Sequence, residues 1–143
     1  MKRIKEQEEY EERISEAGMD VVDQMSSLEF ENYLALILSN LGYNVRRSRV
    51  TKHYGVDLIL DGEERIVVQA IRYNNIVGTK AIHEINSARE YYEAGEAWVV
   101  TNNYFTSQAI KLAESTNVEL IDRYELVDLI LYSKNTSQDI SKE

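Results

Sequence analysis

Cysteine and proline are both absent from the 143 residues. The first absence excludes a disulfide framework, a thiolate metal site and a cysteine nucleophile. The second is compatible with uninterrupted helices and strands. Histidine occurs only at His53 and His83. A multi-histidine zinc site is therefore not expected, and any metal would be held by oxygen ligands. Long apolar runs are missing too. Tyr33 to Leu38 is far too short to span a bilayer, and Met1-Lys-Arg-Ile-Lys-Glu lacks the apolar core of a signal peptide. These absences lead to the expectation of a soluble, cytoplasmic protein with no membrane partner.

The residues present are 43% hydrophobic and 29% charged, which excludes wholesale disorder. A chain of this length buries about two thirds of its unfolded surface, enough for one core. The formal net charge of −9 argues at first against a nucleic-acid partner. The distribution weakens that objection. Residues 44–80 carry seven basic side chains against four acidic ones, whereas 1–23 and 81–143 are strongly acidic. A phosphate backbone feels the local face within a Debye length, not the total.

Residues 2–17 read as an exposed, charged helix ending near Gly18. It can pack through a narrow stripe, pair with a second copy or stay loosely attached. Ser26 or Ser27 caps a second helix, in which Phe30, Tyr33, Leu34, Ile37, Leu38 and Leu41 recur at steps of three and four before Gly42. Tyr43 to Val50 reads as a strand with a basic outer face, Gly55 to Leu60 as a second, and Glu64 to Ile71 as a third. Asp61-Gly62 is a hairpin turn, so the three form an antiparallel meander. The third strand is apolar on both faces and therefore central. A helix over Thr79 to Ala94 then crosses over to a parallel strand, Ala97 to Thr101. Phe105 to Ser115, capped by Thr106, is a short helix. Val118 to Ile121 is the last strand, and Asp122 caps a helix to about Tyr132. The polar tail from Ser133 is expected to fray. The chain thus divides into a helical arm over 1–24, an α/β domain over 25–132 in the order α-β-β-β-α-β-α-β-α with a mixed central sheet, and a tail over 133–143.

This pattern draws a few oxygen donors together. Asp57 lies on the second strand, Gln69 and Ile71 share one face of the third, and Glu31 opens the preceding helix. An aspartate, an amide oxygen, a backbone carbonyl and a glutamate are hard ligands of the sort magnesium accepts. A single strand aspartate is as readily a structural hydrogen-bond acceptor, and spacing alone leaves both open.

Phe30-Glu31, Leu41-Gly42-Tyr43, Gly55-Val56-Asp57, Val68-Gln69-Ala70, Arg72-Tyr73, Val100-Thr101-Asn102, Phe105-Thr106 and Leu120-Ile121-Asp122 fall in order along the chain. This ordered set, over about Met25 to Leu131, resembles the Mrr-type restriction endonuclease domain of the PD-(D/E)xK nuclease superfamily. The resemblance implies a restriction-endonuclease-like fold and metal-dependent hydrolysis of DNA phosphodiesters, with Mg2+ as the cofactor and Mn2+ as a substitute. It further implies that Asp57, Gln69, Glu31 and the Ala70 backbone carbonyl hold the metal. The family's lysine position is occupied by Ile71. A lysine there orients the attacking water and stabilises charge on the phosphate. Isoleucine suits the strand but supplies neither proton nor charge. Catalysis should fall steeply, by about 10²–10³ for one preorganised group. Two accounts of Ile71 stand side by side: a natural pseudo-nuclease that binds DNA, or an inactivated form of an active enzyme.

Arg47, Arg49, Lys52, His53, Arg72, Tyr73, Asn74 and Lys80 are candidate DNA contacts. Alternation separates Arg47 and Arg49 from Arg46. His53 is also readable as an ordinary exposed loop residue, and His83 as a surface or packing residue. Thr101, Asn102 and Asn103 end a strand where site loops gather, or simply cap it. Trp98 reads as core. Cutting both strands of a duplex generally needs two sites, which points to a homodimer. A partner subunit could supply sequence recognition. A non-catalytic DNA-binding module and a protein-interaction module built on the acidic arm are the competing functions.

Overall fold

The computed structural model describes residues 2–48 and 55–141. Six helices and five strands follow one another as α1 (Lys2–Ala17), α2 (Met19–Asp23), α3 (Ser27–Asn40), β1 (Asn44–Arg47), β2 (Leu58–Asp61), β3 (Ile66–Ile71), α4 (Thr79–Tyr91), β4 (Glu96–Thr101), α5 (Ser107–Thr116), β5 (Glu119–Ile121) and α6 (Arg123–Ser141). The sheet has the spatial order β1-β2-β3-β4-β5. The first two pairings are antiparallel and the last two parallel. The expected meander, the parallel crossover and the central third strand are therefore all present. The chain has the mixed α/β restriction-endonuclease-like architecture.

Burial explains the layering. Leu58, Leu60 and Val68 point to one face and pack with Phe30, Leu34 and Leu38 of α3 and Leu126 and Ile130 of α6. Ile59, Val67 and Val99 point to the other and pack with Ile82, Ile85 and Ala88 of α4 and Ala109 of α5. Alternation along a strand feeds both cores at once. A fully buried side chain of this size contributes roughly 1.5–3 kcal/mol.

Local signals set the helix ends. Ser26 Oγ accepts from the Glu29 N–H and Glu29 Oε1 accepts from the Ser26 N–H, both at 3.1 Å, closing a capping box on α3. Gly42 ends it at φ +100, with the Tyr43 N–H on the Leu38 carbonyl at 3.1 Å. Thr106 Oγ1 caps α5 and Asp122 Oδ1 caps α6, each at 3.1 Å.

Four expectations need correction. α2 was not foreseen, because five residues are too few to show a period; buried Met19 and Val22 hold it in the core. β2 begins at Leu58, so Asp57 stands just before it, although its N–H still bonds the Val68 carbonyl at 2.9 Å. α6 runs on to Ser141 past the expected end near Tyr132, and Ser133, where the frayed tail was to begin, is buried and accepts from Asn40 Nδ2 at 3.3 Å. Trp98 is half-buried, packed edge-on against Tyr43, with no partner for its Nε1 among the described residues.

The first helix packs on the body. Arg13 pairs with Asp128 of α6, Lys134 Nζ donates to the Glu16 carbonyl at 3.0 Å, and Tyr10 stacks on Tyr124 with centroids 5.6 Å apart. Burial, then the hydrogen bond to the Tyr104 hydroxyl, pushes the Tyr10 phenol up to about 12.

A second tie binds α2 to the ends of β4 and α6. Arg123 donates from Nη1 to Asp23 Oδ1 at 2.8 Å and from Nη2 to Oδ2 at 3.1 Å. Asn102 Nδ2 adds a bond to Oδ1 at 3.0 Å. Burial alone would raise the Asp23 carboxyl, but these bonds and the Arg123 and Arg72 charges outweigh it and leave it below the usual carboxylate range. A lowered carboxyl stabilises the fold above its unfolded value, and that stabilisation is lost as pH falls through the folded one. Asp23→Asn is therefore expected to cost about 1–2 kcal/mol at neutral pH, after discounting for solvent exposure. The gap between variant and parent in chemical denaturation should narrow below about pH 4. A gap constant with pH would assign the effect to shape and not to charge.

Candidate active site

The C-terminal end of β3 opens into a cleft of ≈ 420 Å³, walled by the first turns of α3 and α4. Gly78 gives the start of α4 no side-chain cap, whereas the capping box closes the start of α3. Asp57, Gln69, Ala70, Ile71 and Glu31 all line it.

The β2–β3 hairpin does most of the positioning. Leu58 pairs with Val68, so the next residue back, Asp57, comes level with the stretch from Gln69 to Ala70. Asp57 Oδ2 accepts from the Ala70 backbone N–H at 2.7 Å. A main-chain donor fixes the position of that oxygen. Gln69 and Ile71 share the face that packs toward α4. Gln69 Nε2 donates to Glu84 Oε2 at 3.2 Å. That bond sets the orientation of the amide, because a carboxylate can accept only from the nitrogen end. The other end, Oε1, is buried and has no hydrogen-bond partner among the described residues. A buried carbonyl oxygen without a partner is costly, and a cation is one thing that can satisfy it.

A divalent metal is chemically compatible with this donor set. Asp57, Gln69 Oε1 and the Ala70 carbonyl are hard oxygen donors, and magnesium keeps several waters in its shell. No group of three or more His, Asp or Glu side chains able to hold a metal occurs among the described residues. Main-chain and amide oxygens would have to complete the shell. Glu31 reaches the cleft but is engaged: Arg47 Nη1 donates to its Oε1 at 3.1 Å, and Arg47 also bonds Asn32.

The expected DNA contacts divide. Arg72, Tyr73 and Lys80 line the cleft. Arg47 is joined to it through Glu31. Arg72 is tied back, donating from Nη1 to the Asp23 carbonyl at 3.2 Å and to Asn74 Oδ1 at 2.7 Å. Tyr73 is exposed. Its backbone N–H rests on Asn102 Oδ1 at 2.8 Å, so Asn102 acts as a loop clamp. Thr101 Oγ1 accepts from the Asn103 N–H at 3.2 Å, a capping role. Arg49, Lys52 and His53 lie outside the described residues. His83 is exposed on α4.

Glu84 was not foreseen. Its signal in the sequence is the four-residue spacing from Lys80 on the helix that follows the motif strand, which puts both on one helix face. The structure brings Lys80 Nζ to 4.0 Å from Glu84 Oε1.

Comparison with known proteins agrees with this fold and cleft. The architecture is that of the restriction-endonuclease-like nucleases. Residues 22–130 match the Mrr catalytic-type family model described as restriction endonuclease, and the chain belongs to that family. It is 28% identical over 133 residues to the type IV methyl-directed restriction enzyme EcoKMrr of Escherichia coli strain K12, covering 86% of this chain and 44% of that enzyme. The chain thus spans less than half the length of this relative. Among solved structures, the DNA modification-dependent restriction endonuclease AspBHI superposes with a TM-score of 0.62 at 18% identity, over 85% of this chain and 39% of its own. The MspJI restriction endonuclease in complex with a 27-mer oligonucleotide superposes at 0.53 and 16% identity, over 79% and 31%. At such identities the likeness is one of fold. Among the described residues, no helix is long and apolar enough to cross a membrane.

Gly55 sits against the site at φ +71, and a Cβ there would stand 2.6 Å from Gln69 Nε2 and 2.8 Å from Glu84 Oε2. Both atoms end flexible side chains, so the clash is relieved by breaking their bond. Gly55→Ala is expected to lose about 1–2 kcal/mol from the left-handed backbone. Its cleft should be more disturbed than its core, visible as a modest fall in melting temperature with larger amide shifts around Gln69 and Glu84. Unchanged amide positions there would contradict the packing.

Proposed function

We propose that this chain is a metal-dependent DNA endonuclease domain of the Mrr type, weakened by Ile71. The observation that carries the reading is the pairing of Asp57, fixed by the Ala70 N–H at 2.7 Å, with the buried Gln69 Oε1, which has no partner among the described residues, in the same cleft. Asp57, Gln69 Oε1 and the Ala70 carbonyl would hold Mg2+, or Mn2+ in its place, with Glu31 contributing when Arg47 releases it. A bound divalent ion supplies Lewis acidity toward a phosphodiester oxygen and a more acidic water. The start of α4, with no side-chain cap and no acid in its first turn, favours an anion at the cleft. Arg72 and Tyr73 shape its rim, and Asn74 anchors the Arg72 guanidinium. DNA is the substrate that family membership supports.

Ile71 removes the strand-borne cation from this arrangement, and its half-buried aliphatic side chain packs against the α4 side of the sheet. The charge that would steady the phosphate and orient water is absent at that point. One cleft cuts one strand, so cleavage of both would take two copies of the chain. Recognition of sequence or of modified bases would come from a further domain or a partner subunit.

Plasmid nicking with Mg2+ or Mn2+ tests the reading on the parent chain, Ile71→Lys and Asp57→Asn. Ile71→Lys should cut faster by about 10²-fold, the scale of one preorganised charge. Asp57→Asn should remove cutting in either background. Salt-dependent DNA binding with no cutting by Ile71→Lys would favour a DNA-binding module instead. Neither binding nor cutting would favour a protein-interaction module.

A further inference from the structure

Strand β3 carries no charge at either motif position, with the amide Gln69 and the aliphatic Ile71. Facing the same cleft, α4 carries both an acid and an amine, Glu84 and Lys80. The two are one helical turn apart, so they share a face. Glu84 reaches across to Gln69 at 3.2 Å and stands 4.0 Å from the Lys80 ammonium. Lys80 is thus linked, through one carboxylate, to the residue whose other amide atom is buried and without a partner among the described residues.

We propose that Lys80 is a catalytic residue, supplying from helix α4 the positive charge that Ile71 does not supply from β3. This rests on the nuclease reading given above.

Three observations favour Lys80 over other cations. First, the described residues lining the cleft include two cations, Arg72 and Lys80. Arg72 is tied back through Nη1 alone, to the Asp23 carbonyl and Asn74 Oδ1, and its Nε is buried, so the group is held at the rim by its base. Second, the Lys80 side chain is 90% exposed, so its four-carbon stem can swing onto a phosphate in the cleft without leaving a packed position. Third, Lys80 stands in the first turn of α4, where Gly78 provides no side-chain cap and no acid offsets the dipole. A cation at that end opposes the helix dipole. An anion lodged there would turn the unfavourable placement into a favourable one. Glu84 is a positioning residue: it sets the Gln69 amide and keeps the ammonium on the cleft side.

In this role Lys80 touches the phosphate and steadies the charge that develops as the P–O bond breaks.

The test combines Lys80→Ala, Ile71→Lys and the double variant, on supercoiled plasmid at saturating DNA. DNA affinity is read separately by fluorescence anisotropy in EDTA. The parent should nick slowly. Lys80→Ala should lower its saturated rate by about tenfold or more, while the salt slope of binding falls by at most about one. In the Ile71→Lys background, loss of Lys80 should change the saturated rate little, because the strand then carries the charge. Lys80→Arg should keep part of the parent's rate.

If saturating DNA restores the full rate to Lys80→Ala, Lys80 is an ordinary backbone contact and the proposal fails. It also fails if the parent shows no cutting while Ile71→Lys cuts, although the nuclease reading then survives. If neither the parent nor Ile71→Lys cuts, the nuclease reading fails, and this inference with it.

Discussion

The antiparallel register of β2 on β3 is the constraint on which the candidate site depends. Leu58 opposes Val68 and Leu60 opposes Ile66, a pairing set by the tight link at Asp61-Gly62. From that register Asp57 arrives beside Ala70, whose N–H holds its carboxylate at 2.7 Å. A slip of one residue would exchange the side chains of β2 between the two cores and carry Asp57 off the cleft. Two separate cores oppose such a slip, because Leu58 and Leu60 pack under α3 and α6 while Ile59 packs under α4. The geometry around Asp57 is therefore kept by hydrophobic packing on both faces of the sheet. It does not rely on the polar groups of the site itself.

The cleft does not escape the acidity of a chain with net charge −9: its lining sets Arg72 and Lys80 among Glu31, Asp57 and Glu84. Much of the basic charge is already spent inside the molecule. Arg47 holds Glu31, Arg46 holds Asp61 at 2.6 Å, and Arg123 holds Asp23. The Asp23, Arg123 and Asn102 network ties three elements together next to the loop carrying Tyr73. It fixes one rim of the cleft while remaining outside its chemistry.

Membership of the Mrr restriction endonuclease family defines a nuclease-type domain. Within that frame this chain distributes its charged groups differently from the pattern its motif order resembles. Position 71 is apolar, Gln69 leans on a helix carboxylate, and the helix after the motif strand carries a lysine at its first turn. Aliphatic packing at position 71 costs the fold nothing, since Ile71 simply extends the core against α4.

The sequence by itself determined most of the architecture. The period of Phe30, Leu34, Ile37 and Leu38, the Asp61-Gly62 turn and the doubly apolar third strand are local signals, and each element they mark is present. It also placed Asp57, Gln69 and Ile71 near one another, because strand alternation and a tight turn leave little freedom. Other features were decided only by tertiary structure. The pairing of Glu84 with Gln69 depends on how α4 settles on β3, fifteen residues apart in the chain. The engagement of Glu31 by Arg47 depends on α3 meeting β1. The helix from Met19 to Asp23 exists because Met19 and Val22 are buried by distant elements. The continuation of α6 past Tyr132 likewise follows from contacts made by Ser133 and Lys134 with α3 and α1. Local periodicity reports what a segment prefers alone. It carries no record of which neighbour will lend it a partner, and at this cleft those borrowed partners set the electrostatics.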